Sequence, residues 1–379
     1  MRESNGAPKQ YKYFQLLKEH LKGDLDKIFG DKLVLPRQLE IHLPGDHKKA
    51  CNFNCSFCEG RILSQELCSY EEKALSLIKD INGQIPYIIF GGLYSEPLLN
   101  PYLLEMIEET KRTGANFGLH TNGALLKELE DKQGFISQLC ELSNSNNDYI
   151  SISIDAGSPE SHKKVKGTKQ NYFSRIIEGL RILAQKRSNG FPALRMSYLI
   201  CEENSSYEDI KNIVSIAKEL GIDSLKFSIP YECFGSDFSK VREYKNRVEK
   251  DKGLQYETLI APFLSKDNKE KPYIFYMSPV NQDVDKMNFQ HCAYSYYQIT
   301  IGTDGFVYRC SSTASPSFRM NRLGFIPENF DGLKELVKKN QDITFNPKSC
   351  FKMGARCDRV SLAINTSWEE IRKRNKKTL

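Results

Sequence analysis

Tyr149-Ile150-Ser151-Ile152-Ser153-Ile154-Asp155 alternates apolar and polar residues without a break. A period of two predicts a β-strand with one greasy and one polar face. The same alternation recurs in Leu39-Glu40-Ile41-His42-Leu43 and in Leu225-Lys226-Phe227-Ser228-Ile229. Parallel strands covered by helices on both faces read instead as continuous apolar runs. These alternating strands therefore point to a curved sheet around a wet lumen rather than to an open, doubly wound sheet.

Working outward, strand patterns occur at Gln38–Leu43, Tyr87–Gly91, Asn116–Thr121, Tyr149–Asp155, Leu194–Cys201 and Ser224–Ile229. Helical patterns lie between them, among them Pro101–Thr113, Pro159–Arg187 and Tyr207–Leu220. Successive β–α units predict an α/β fold, a partial (β/α)6 TIM-like barrel over residues 37–250. Residues 1–36 read as an N-terminal helical segment, with Tyr13, Leu16, Leu17, Leu21 and Leu25 at helical spacing. Residues 251–290 have weak periodicity and read as a connector. Residues 291–379 form a further domain, in which Asp304-Gly305 turns a hairpin between Gln298–Ile301 and Phe306–Arg309.

The chain has 379 residues, 40% hydrophobic and 27% charged, as expected of a globular protein. It has no apolar run long enough for a membrane span and no apolar signal region at its start, so a cytoplasmic setting is expected. In that setting its 11 cysteines read as metal ligands and buried thiols, not as a disulfide framework. Cys68, Cys140 and Cys201, in helical or strand patterns, read as buried small apolar residues. The net charge of +6 permits an anionic substrate without demanding nucleic acid. A zinc-stabilised nucleic-acid-binding protein is the reading from another class, and the lack of an aromatic-basic patch counts against it.

After the first strand comes Cys51-Asn52-Phe53-Asn54-Cys55-Ser56-Phe57-Cys58. Closed zinc and iron–sulfur sites take four protein ligands. Three thiolates on one loop can hold three irons of a [4Fe–4S] cube and leave the fourth open for chemistry. The loop falls at the C-terminal mouth of the sheet, where α/β folds place active sites.

This run resembles the signature of the radical S-adenosylmethionine (radical SAM) superfamily. The resemblance implies that Cys51, Cys55 and Cys58 carry a cluster whose open iron chelates SAM, and that a 5′-deoxyadenosyl radical abstracts a substrate hydrogen. It implies that Phe57 lies beside the adenine. Gly91-Gly92-Leu93-Tyr94-Ser95-Glu96-Pro97 is similar to the family's GGEP motif, which would place Gly91, Gly92 and Glu96 at the SAM ammonium. It departs from that motif by Leu93-Tyr94-Ser95, between the glycines and the acid. Asn122 sits in a Thr-Asn-Gly run common in such proteins. Ser153 and Asp155 resemble the family's SxD strand, and Arg175 or Arg195 would pair with the SAM carboxylate.

Cys292, Cys310, Cys350 and Cys357 resemble the ligands of SPASM and twitch extensions. The further cysteine set of a full SPASM domain is absent, so the resemblance implies a twitch-like domain with one auxiliary [4Fe–4S] cluster. Structural zinc is the alternative for these thiolates. Cys233 lies just past the sixth strand pattern and could return a hydrogen atom to a substrate radical. The expected function is oxidation or bond formation on a small polar metabolite, a sugar or aminocyclitol. An epimerase using Cys233 and a maturase of a ribosomally made peptide are the alternatives. The polar lumen residues Glu40, His42, Arg195, Lys226 and Ser228 suit either substrate class. A flavodoxin or ferredoxin would supply the electron.

Overall fold

In the computed structural model the described residues are 32–58, 60, 65–229, 255–267, 269–277, 291–342, 344–347, 349, 350, 365 and 368. The N-terminal helical segment, Cys233 and Cys357 lie outside them.

The strands are β1 (Gln38–His42), β2 (Tyr87–Gly91), β3 (Asn116–Thr121), β4 (Tyr149–Ser153), β5 (Ala193–Leu199), β6 (Ser224–Ser228), β7 (Tyr273–Met277), β8 (Gln298–Ile301), β9 (Phe306–Tyr308) and β10 (Arg322–Phe325). All 10 form one sheet in the order β10-β9-β8-β1-β2-β3-β4-β5-β6-β7. Neighbours from β1 to β7 run parallel. β8 joins the free edge of β1, also parallel, while β9 and β10 return antiparallel.

One expectation changes here. The connector assigned to 251–290 contains β7, which pairs with β6 from Ser224↔Tyr273 to Ser228↔Met277. Tyr273-Ile274-Phe275-Tyr276-Met277 is short and aromatic, a composition that suits a strand but is too brief to show a period. The hairpin read within residues 291–379 joins the barrel sheet through β8.

Helices α1 (Glu71–Ile81), α2 (Leu103–Arg112), α3 (Leu126–Gln133), α4 (Phe135–Leu142), α5 (Pro159–Lys166), α6 (Tyr172–Lys186), α7 (Tyr207–Glu219) and α8 (Phe330–Asn340) accompany the sheet. The single pattern read over Pro159–Arg187 is two helices. Ser158 caps α5 through a reciprocal pair with Ser161, and α5 stops at Gly167, which takes the left-handed conformation at φ +59°. Asn171 then caps α6.

The strand alternation survives folding. Leu39, Ile41, Ile150, Ile152, Leu225 and Phe227 are fully buried against the helices. Glu40, His120, Ser151, Arg195, Ser197 and Lys226 take the opposite face of their strands and line the lumen. Glycine makes room inside: a Cβ on Gly118 would meet the Tyr149 ring at 2.5 Å.

Candidate active site

The Cys51–Cys58 loop is held from below by α5. Asn54 N donates to Lys166 O (3.1 Å) and Ser56 N to Val165 O (2.9 Å). Phe53 wedges edge-on between His162 (5.5 Å) and Tyr172 (5.2 Å). A Cβ on Gly167 would collide with the Asn54 carbonyl, so only glycine lets the loop sit this close. The sulfurs are near enough to act on one another. Burial, with Glu96 next, pushes the Cys51 thiol up to about 12. Burial raises Cys55 to about 11, with Lys166 opposing and Asp155 and Cys58 adding. Such thiols stay protonated on their own, and a bound cationic centre would displace their protons.

Glu96 is 2% exposed and heavily committed. It accepts from Leu98 N (3.0 Å), from Asn122 N (2.8 Å) and from the Thr121 hydroxyl. Burial still raises its pKa against these donors. Its own N–H donates to Ala50 O at 2.8 Å, one residue before the first cysteine. Asn122 reaches Asn52 Oδ1 at 2.7 Å and lies 3.8 Å from Cys51 Sγ. Gly91 ends β2 between Glu40 and His120, and Gly92 turns so tightly that a Cβ would strike the Ser95 hydroxyl.

Leu93-Tyr94-Ser95 faces the C-terminal module. The Tyr94 hydroxyl meets Thr303 Oγ1 at 2.8 Å, and Leu93 packs with Phe318 and Cys350. The insertion into the glycine–acid motif thus builds a contact between the two halves of the chain.

Ser153 and Asp155 follow β4 to the mouth. Asp155 holds a left-handed φ of +49°. Its carboxylate takes Lys166 Nζ at 2.6 Å and Leu199 N at 2.6 Å, pinning β4 to β5. Lys166 also donates to Ser153 O (2.8 Å) and lies 5.8 Å from the Phe57 ring centre. Burial lowers its pKa, but Asp155 and Cys55 outweigh burial and the net shift is upward. Sequence reading missed Lys166, because inside one helical pattern from Pro159 to Arg187 a lysine beside Lys163 and Lys164 reads as part of a solvated face.

Arg175 is exposed on the first turn of α6, 5.8 Å from the Tyr172 ring. Arg195 sits deeper in the lumen, paired in register with Ser151 and stacked 3.8 Å over Tyr149. The structure therefore separates the two arginines expected to compete for one carboxylate. His120 Nε2 meets the Tyr149 hydroxyl at 2.8 Å, and the enclosing barrel wall pushes its pKa down to about 4 despite Glu40. Glu40 accepts from Gln298 Nε2 (2.7 Å) and pairs with His42 (2.7 Å). Burial would raise Glu40, but His42 outweighs it and the net shift is downward.

A family model described as "Radical SAM superfamily" matches residues 47–204, from the cysteine loop through β5. A radical SAM domain thus covers residues 47–204 of the chain. Such a domain implies a [4Fe–4S] cluster and SAM, and the Cys51–Cys58 loop carries three thiols. The chain is 30% identical over 178 residues to a probable GTP 3′,8-cyclase of Sulfurisphaera tokodaii, covering 46% of this chain and 51% of that one. It is 24% identical over 191 residues to a tungsten-containing aldehyde ferredoxin oxidoreductase cofactor-modifying protein of Pyrococcus furiosus, covering 47% and 48%. The chain thus spans about half the length of the curated relatives it matches. In fold it is similar to Streptococcus suis SuiB bound to S-adenosylmethionine, with TM-score 0.51 and 16% identity over 80% of this chain and 66% of that one. This likeness covers more of the chain than residues 47–204 do.

Beyond the radical SAM domain the C-terminal thiols form a second grouping. Cys292 and Cys310 pack against Tyr294, Tyr296 and Trp368, and Cys350 lies beside Phe318. Cys292, Cys310 and Cys350 all act electrostatically on Arg309. Among the described residues no group of three or more His, Cys, Asp or Glu side chains is arranged to hold a single metal ion. A cube binds each thiolate at a different iron, so its ligands need not converge on a point. Among the described residues no helix is long and apolar enough to cross a membrane.

Proposed function

We propose that this protein cleaves SAM reductively at the Cys51, Cys55 and Cys58 loop and removes a hydrogen atom from a small polar metabolite, which is then oxidised or forms a new bond. The carrying observation is the polar lumen beneath that loop. Arg195 is stacked on Tyr149 there, and His120 and Lys226 lie near it. Arg195 and Lys226 set two cations against Glu40, which His42 and Gln298 already engage. Such a lumen favours a metabolite with an anionic group. The Sulfurisphaera relative, named for a GTP cyclase, is compatible with bond formation on such a molecule.

When bound, the cluster and SAM supply the 5′-deoxyadenosyl radical, and an auxiliary cluster on Cys292, Cys310, Cys350 and Cys357 supplies an electron acceptor. The chain's own part is positioning. Glu96 and Asn122 brace the cysteine loop, and Asp155 with Lys166 fixes the rim above Ser153. Phe57 and Gly92 border the same mouth. An external one-electron donor such as a flavodoxin or ferredoxin completes the system.

The test is isotope transfer. Deuterated sugars, aminocyclitols and nucleotides are incubated with reconstituted enzyme, SAM and reductant, and 5′-deoxyadenosine is weighed for deuterium. Label arriving from a small metabolite, and lost in Cys55→Ala, is the expected result. Label arriving only from a peptide substrate would overturn the metabolite reading in favour of peptide maturation.

A further inference from the structure

Around the C-terminal thiols, Arg309 Nε is a buried donor with nothing to donate to among the described residues, while the buried side-chain amides of Asn321 and Asn365 face the thiols of Cys350 and Cys292. Buried N–H groups are almost always paired, so Arg309 Nε needs an acceptor that is not a described residue. Each of these residues sits on a thiol or its neighbour. Arg309 precedes Cys310. Asn321 Oδ1 accepts from Cys350 Sγ at 3.6 Å. Asn365 Oδ1 accepts from Tyr294 N, two residues past Cys292, at 3.3 Å.

Arg309 is also held rigidly. One face stacks on Phe345 at 3.8 Å, and Nη1 donates to Asn340 O at 3.1 Å. Asn340 in turn donates to Arg309 O at 3.3 Å. Cys292, Cys350, Asp342 and Cys310 all act on this guanidinium. A cation buried among thiols, with an N–H left over, matches an anionic sulfur-rich acceptor.

We propose that Arg309 donates Nε–H to a sulfur of the auxiliary cluster and, by its charge and this bond, raises that cluster's reduction potential, with Asn321 as a second donor. The inference rests on the reading of these cysteines as cluster ligands. Reduction adds one negative charge to the cluster, so a fixed cation and an N–H···S bond stabilise the reduced form more than the oxidised one. That is the direction an electron acceptor needs. Arg309 is a positioning and tuning residue, not a catalytic one.

The experiment uses the full chain with Cys51, Cys55 and Cys58 all changed to Ala, which leaves only the C-terminal site. Iron per chain is measured after anaerobic reconstitution, and the midpoint potential is read by an EPR-monitored redox titration. In this background Arg309→Met should retain iron and shift the midpoint negative by at least a tenfold change in the reduction equilibrium, about 59 mV for a one-electron couple. Arg309→Lys, which keeps the charge, should fall between. Reconstituted protein without these substitutions at 309 should show an exchangeable-proton coupling to the reduced cluster that deuterium oxide removes. Equal midpoints in all three proteins, or no exchangeable coupling, would overturn the role of Arg309 while leaving the cluster in place. Failure of the triple variant to bind iron–sulfur would overturn the cluster reading itself.

Discussion

His162 carries an unusual burden for one side chain. It is fully buried on α5 against Phe53 and Phe173, and neither ring nitrogen has a hydrogen-bond partner among the described residues. Burial, with Lys166 adding, pushes its pKa down to about 3. The folded state therefore holds fewer protons on this ring than the unfolded chain, whose imidazole titrates near 6.5. The resulting stability is fully present above about pH 6.5 and drains away as pH falls toward 3. Replacing the ring by an apolar side chain removes both the orphaned nitrogens and this acid sensitivity. His162→Leu should be within roughly 1 kcal/mol of wild type at pH 7, and should lose less stability than wild type between pH 6 and pH 4. Urea unfolding at a series of pH values measures both. Parallel pH profiles for the two proteins would show that the acid-labile group lies elsewhere. Lys166 sits one turn on, and its stem and charge serve Asp155, Ser153 and the Cys55 field together.

At the scale of elements, the join between the cysteine loop and α5 depends on Gly167. It ends the helix in a left-handed turn and leaves room for Asn54. Alanine there costs about 1–2 kcal/mol for its conformation alone, and the collision with Asn54 must in addition move the loop. Gly167→Ala should therefore lower the iron retained by the loop after gel filtration, beyond what its drop in melting temperature explains. A variant that loses stability but keeps wild-type iron would refute this coupling. The same glycine shows where sequence reading stops. The alternation in β1, β4 and β6 was legible because period two survives in any sheet with one wet face. The break at Gly167 was hidden inside a continuous helical pattern from Pro159 to Arg187, since a lone glycine does not disturb a hydrophobic stripe. Strand β7 escaped because all five of its residues are large and apolar, so no alternation marked it. For the candidate site, the cysteine loop stood out by its spacing and Glu96 by its resemblance to a family motif, whereas Lys166, Arg309 and Asn321 acquire meaning only through contacts across the fold.

Across the whole molecule, the barrel and the C-terminal strands share one sheet, and the seam is β1 against β8. Backbone pairing there is backed by one side chain. Gln298 is 1% exposed and accepts from Gln38 Nε2 (2.8 Å) and the Tyr294 hydroxyl, while donating to Glu40 (2.7 Å) and Thr300 (2.9 Å). It thereby connects a lumen carboxylate to the element that leads from Cys292 to Cys310. A leucine of similar size takes one partner from Glu40 and one from each of three other polar groups, on Gln38, Tyr294 and Thr300. Each such loss is worth about 1–3 kcal/mol, with partial recovery by water expected to leave a net cost of roughly 2–5 kcal/mol. Because the seam is local, the loss should be unevenly distributed. In Gln298→Leu, amide exchange in β8, β9 and β10 should quicken well before that in β3, β4 and β5, which pair among themselves on the far side of β2. Hydrogen-exchange mass spectrometry on wild type and variant resolves these segments. Uniform acceleration across both groups would mean that the two halves unfold as one unit, and that the contact built by Leu93 and Tyr94 suffices to couple them without Gln298.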